Sequence, residues 1–173
     1  MKAVVKTRNY PYKMNIISAT IPGTDPDAGE LLIVAHAFER IGTPGANDNV
    51  SGVATTLEIG RTLATLIRRG ELPQPKRTIR FIWVPEISGS RAFMYKYPEL
   101  EDKILVAMNY DMTGPDLEET DTYLRMKMTP DSRPHYINDL IGNLLRFIDQ
   151  TNVSTQWGNN GPFNYRLVPF ISS

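Results

Sequence analysis

His36, Asp48, Glu86 and Asp111 are the residues of this chain whose types and settings could do chemistry. His36 follows the aliphatic run Leu31-Leu32-Ile33-Val34-Ala35, which reads as a strand buried on both faces of a mixed or parallel sheet. The C-terminal ends of such strands are where open α/β sheets carry their ligands. The loop that follows, Gly45-Ala46-Asn47-Asp48-Asn49-Val50-Ser51-Gly52, can take the tight and left-handed conformations needed to return Asp48 toward His36. An imidazole and a carboxylate delivered by one strand and its loop are a natural ligand pair for zinc. Glu86 and Asp111 each end another apolar run, where a carboxylate is costly unless it meets solvent or a cation. Three acids and one His at strand ends and the loop between them point to a shared metal site.

Plainer readings stand beside these. A lone His at a strand end is ordinarily a satisfied core histidine, and Asp48 could simply cap the helix that starts near Val50. His135 reads as a solvated side chain in the first turn of a helix, and Glu118-Glu119 as an exposed loop pair.

The elements that must position these residues alternate along the chain. Ala3 to Thr7 and Met14 to Ile21 have the β-branched and aromatic character of strands, joined by a turn at Asn9-Tyr10-Pro11. After the strand Leu31 to Ala35, a helix is expected from Val50 to Arg69, with Val53, Leu57, Leu63, Leu66 and Ile67 on one side and Gly70 closing it. A strand at Thr78 to Val84, a short helix near Arg91 to Tyr95, and strands at Ile104 to Tyr110 and Thr122 to Met128 follow. A helix entered through Ser132-Arg133-Pro134 carries Ile137, Leu140, Ile141, Leu144, Leu145 and Ile148 at helical spacing, read as core packing. Tyr165 to Phe170 is expected to be a last strand. The pattern predicts an α/β fold, a mixed β-sheet flanked by helices on both faces, in a single domain over residues 1–173.

Composition narrows the function classes. The 173 residues carry 19 basic and 19 acidic side chains, so no charge excess points to nucleic acid or an anionic membrane as partner. A hydrophobic content of 41% suits a chain with a sizeable core, and no apolar run reaches the ~18 residues of a membrane span. The start Met1-Lys2-Ala3-Val4-Val5-Lys6 has no apolar core with a cleavage site, so no signal peptide is expected here and the compartment stays open: cytoplasmic by default, secreted if the native N-terminus is longer. With no Cys there is no disulfide and no thiolate metal site.

The loop with His36 before it resembles the signature of the M28 family of zinc aminopeptidases, a strand-end His followed by Gly-Ala-(Asn/Asp)-Asp-Asn-x-(Ser/Ala)-Gly. Two further segments are similar to the family in the right order: Thr78 to Glu86 with Gly89-Ser90, and Ala107-Met108-Asn109-Tyr110-Asp111-Met112-Thr113-Gly114. Three motifs in order over about 80 residues are far more specific than one, and the likeness extends from about Asn15 to the C-terminus. The resemblance implies a zinc-exopeptidase (phosphorylase/hydrolase-like) fold, one or two zinc ions, a peptide substrate, and hydrolysis of its N-terminal peptide bond. It implies a first metal held by His36, Asp48 and Asp111, with Asp48 bridging to a second, and Glu86 as either second-metal ligand or general base. Zinc would ease loss of a proton from water and stabilise the oxyanion, while a carboxylate passes the proton to the leaving amine.

Three departures from the family pattern carry expectations of their own. Phe38 stands where the family has an Asp that orients the His, leaving Glu39 or a backbone carbonyl to take over. Pro85-Glu86 replaces a pair of consecutive Glu residues, so one of two jobs is vacant. The chain stops at Ser173, where a segment bearing a last His ligand would be expected, so it reads as incomplete at its C-terminus. Two alternatives follow: a non-catalytic domain of M28 fold with a degraded metal site, or a mononuclear zinc acyltransferase of the glutaminyl-cyclase type.

Overall fold

The structure, a computed structural model, describes residues 3–8, 11, 13–38, 43–151 and 165–168. Contacts divide the chain into two units, Met1–Met112 and Thr113–Ser173, each described by itself.

The first unit is built on four strands, β1 (Ile17–Ile21), β2 (Glu30–Phe38), β3 (Thr78–Pro85) and β4 (Ile104–Asn109), in the order β1-β3-β2-β4. β2 lies parallel to both β3 and β4, whereas β1 runs antiparallel along β3, so the sheet is mixed, as expected. Two helices, α1 (Gly52–Arg68) and α2 (Ser88–Lys96), belong to the crossovers that parallel neighbours require.

Alternation along the strands decides which helix covers which face. Ile33 and Ala35 of β2 with Phe81 and Trp83 of β3 form one buried cluster, and Val53 and Ile59 of α1 pack on it. Leu32, Ile82 and Val84 point the other way and cluster with Phe93 of α2 and with Leu100. Both faces of the central strands are thus closed by helices, the layering read from the sequence. At the far end of β2, Glu30 accepts two bonds from the Arg80 guanidinium, at 2.7 and 3.1 Å, a forked pairing that fixes the β2–β3 register.

Several boundaries differ from the sequence reading. Ala3 to Thr7 forms no strand: Val4 and Val5 are adjacent and both exposed, and without alternation they offer no face to bury. β1 is shorter than expected, β2 and β3 run longer, and α2 begins three residues before Arg91. Leu57 of α1 faces solvent, and the inner position is held by Thr56, whose hydroxyl accepts a 2.9 Å bond from the Trp83 indole. Gly70, at φ +73°, closes α1 as anticipated.

The second unit contains β5 (Leu124–Lys127), α3 (Ile137–Thr151) and β6 (Tyr165–Val168), with β5 and β6 paired in parallel as a separate two-stranded sheet. Residues 169 and 170 of the expected last strand lie outside the described residues. α3 does not start at Ser132-Arg133-Pro134, which sits in a turn where Arg133 N–H bonds the Pro130 carbonyl. The first helical amide, that of Ile137, instead donates to the His135 ring Nδ1 at 3.2 Å. The His135 ring also packs on Tyr136, so it is more than a solvated side chain. Of the expected apolar stripe, Leu145 is buried, while Leu140 and Leu144 are exposed. No described helix is long and apolar enough to cross a membrane.

Thr56 and Trp83 provide a test of the α1–sheet contact. Thr56→Val keeps the shape but leaves the buried indole N–H without its acceptor, and it is expected to cost about 1–3 kcal/mol. Urea denaturation checks this, and an unchanged midpoint would show that the bond contributes nothing.

Candidate metal centre

Three of the four candidate residues converge. His36, near the end of β2, is 7% exposed, and its Nε2 lies 3.0 Å from Asp48 Oδ1 and 3.6 Å from Asp111 Oδ1. Their donor atoms all lie within 4.8 Å of one another. Asp111 arrives because the β2–β4 pairing sets Val34 opposite Asn109 and continues in a 2.9 Å bond from Tyr110 N–H to the Val34 carbonyl. Asp48 arrives by the loop: Ala46–Ser51 is an irregular helical turn, and at Asp48 and Asn49 the backbone leaves helical geometry. The peptide between those two residues is cis.

Glu86 stands in the turn after β3, half-buried. It lines an open cleft of about 360 Å³ together with His36, Asp111, Ser90 and the apolar Val34, Val84 and Ala107. It is not one of the clustered donors, which are His36, Asp48 and Asp111 among the described residues. Glu39, the suggested orienting partner of His36, and the side chain of Phe38 lie outside the described residues.

The capping role considered for Asp48 belongs to its neighbour. Asn49 Oδ1 accepts from Gly52 N–H at 3.0 Å and from Met112 N–H at 3.1 Å, while its Nδ2 donates to the Tyr110 carbonyl at 2.9 Å. Asn49 is 3% exposed, a buried carboxamide with three partners. Gly52 is required beside it: a Cβ there would fall inside contact distance of Asn49 Oδ1 and the Tyr110 carbonyl oxygen. Sequence reasoning missed Asn49, because an Asn in a Gly- and Asn-rich loop already has an explanation as a turn former. A usable signal was its place directly before the helix, where Asn is a favoured N-cap. Nearby, burial pushes the Tyr110 hydroxyl above its usual range.

The donor set fits zinc. One imidazole nitrogen and two carboxylate oxygens are ligands that zinc accepts in catalytic sites, where three protein ligands leave a position for water or substrate. Two acids drawn toward one imidazole nitrogen also form a negative pocket that suits a cation.

Comparison with known proteins identifies the family. The family model described as Peptidase family M28 matches residues 15–164. Leucine aminopeptidase 1 of Trichophyton rubrum is 32% identical over 126 residues, covering 65% of this chain and 32% of that protein. Leucine aminopeptidase 1 of Pyrenophora teres f. teres (strain 0-1) is 33% identical over 128 residues, covering 65% and 31%. The chain thus spans about a third of the length of these curated relatives. Among solved structures, a Clostridium acetobutylicum protein superposes with a TM-score of 0.61 at 18% identity over 90% of this chain and 30% of that one. The LapA aminopeptidase of Legionella pneumophila gives a TM-score of 0.54 at 20% identity, covering 90% and 42%. At those identities the structures speak for the fold, and the family match speaks for descent: this chain belongs to peptidase family M28.

Proposed function

We propose that the chain is the metal-bearing part of a zinc-dependent aminopeptidase, a hydrolase that removes N-terminal residues from peptides. The observation that carries this reading is the convergence of His36, Asp48 and Asp111 on one point at the C-terminal edge of the sheet. The M28 match and the aminopeptidase names of the relatives support the reaction class. That match, over residues 15–164, includes parts of both units, in line with reading them as pieces of one M28-like domain.

In this reading His36, Asp48 and Asp111 would hold zinc, and Asp48 would be the ligand shared with any second ion. Bound zinc supplies Lewis acidity, lowering the pKa of water and polarising a carbonyl. The chain's own residues do the rest. Glu86, in the turn that borders the cleft, is the carboxylate this reading assigns to accept the proton from attacking water and return it to the leaving amine. Val34, Val84 and Ala107 give the cleft an apolar floor, which suits an uncharged portion of a peptide.

Two measurements test the reading. Calorimetric titration of metal-free protein with zinc is expected to show one tight site, since the described donors make one three-ligand cluster; no binding contradicts it. Release of a chromogenic amine from aminoacyl substrates, with zinc added, is expected to disappear in Glu86→Gln while zinc affinity changes little. Zinc binding with no turnover on any aminoacyl substrate would favour a non-catalytic binding domain.

Asp48→Asn separates ligation from capping. Because Asn49 holds the helix entrance, the variant is expected to keep its thermal stability within about 1 kcal/mol and to lose most zinc affinity. Full affinity in a folded Asp48→Asn would remove Asp48 from the ligand set.

A further inference from the structure

We infer that Asn49 is the positioning residue of the metal centre: its side chain clamps the loop carrying Asp48 to the strand end carrying Asp111. This rests on the zinc reading above and deepens it.

The two carboxylates come from segments far apart in sequence, and each lies near the His36 imidazole. Asp48 and Asp111 are both exposed, so packing does not hold their side chains in place. Asp111 is flanked by two backbone groups bound to the Asn49 carboxamide, and Asp48 by Asn49 itself. Asn49 follows Asp48 directly, the Tyr110 carbonyl belongs to the residue before Asp111, and the Met112 amide to the residue after it. A third bond, from Gly52 N–H, ties the same oxygen to the first turn of α1. Asp111 is therefore bracketed on both sides by one side chain whose own backbone adjoins Asp48.

The chemistry of the clamp selects Asn. The position needs an oxygen to accept two amides and, on the same planar group, an N–H to donate to a carbonyl. Asp offers the acceptor without the donor and would turn a carboxylate oxygen toward the Tyr110 carbonyl. Ala offers neither, and Gln would not fit a space that already excludes a Cβ on Gly52. Asn49 is buried, its bond from Gly52 N–H is buried and the other two are partly buried, so water replaces them poorly when they are cut. A bond network that fixes ligand position without touching the metal is the kind whose loss costs about 10–100-fold in metal affinity.

The test uses the 173-residue chain, with zinc alone as the probe. Asn49→Ala, Asn49→Asp and the wild type are titrated calorimetrically at a temperature where circular dichroism shows each folded. Asn49→Ala is expected to raise the zinc Kd about 10–100-fold. Asn49→Asp, which keeps the acceptor half, is expected to recover part of that loss. A folded Asn49→Ala that binds zinc like the wild type overturns the inference and leaves the zinc reading standing. A wild type that binds no zinc overturns the reading itself, so the two failures are distinct. Should Asn49→Ala not fold, Asn49→Asp decides alone: weaker binding supports the clamp, and unchanged affinity overturns it.

Discussion

The parallel pairing of β2 with a neighbour on each side is the constraint on which the rest depends. It aligns three strands so that their C-terminal ends reach the same edge, with His36 opposite Val84 on one side and Val34 opposite Asn109 on the other. Two residues beyond Val84 and Asn109 come Glu86 and Asp111. A slip of one residue would send His36 to the α1 face and replace it with a small aliphatic side chain. The forked Arg80–Glu30 pair at the opposite end resists that slip between β2 and β3, and the two apolar clusters resist it along the length of the strands, because each accepts only one parity of β2 residues.

The electrostatic consequence is a site that pulls acids together. Two carboxylates a few ångströms apart repel by about 1–4 kcal/mol between bulk water and a protein surface. Here Asp48 and Asp111 lie within reach of one imidazole, with the strand ladder carrying the segment of Asp111 and the Asn49 side chain linking that segment to the loop of Asp48. A divalent cation turns that repulsion into attraction, which is why such an arrangement serves a metal better than it serves stability. His36, buried near the end of β2, brings a nitrogen donor to the same point.

Much of this was legible in the sequence, for identifiable reasons. The run from Leu31 to Ala35 announces a doubly covered strand because nothing polar interrupts it, and His36, Asp48 and Asp111 stand out because each breaks an apolar or glycine-rich stretch with a ligand type. What escaped was decided by tertiary context. Val4 and Val5 favour β structure, yet propensity without a partner strand does not make one. Ser132 is a good N-cap by type, but the His135 ring takes the Ile137 amide and the helix starts later. Leu57 fits the helical spacing of α1, while the seat against the sheet goes to Thr56 because Trp83 needs an acceptor. The capping role of Asn49 had a local signal, but its bonds to Met112 and Tyr110 had none, because those partners lie 63 and 61 positions away.

The central claim, that His36, Asp48 and Asp111 form a zinc site, is tested most directly by X-ray absorption at the zinc edge on the loaded 173-residue chain. A first shell of oxygen and nitrogen at about 2.0–2.2 Å, with the outer scattering of one imidazole that disappears in His36→Ala, is the expected spectrum. A first shell unchanged by His36→Ala, or one with no imidazole contribution in the wild type, would contradict the site.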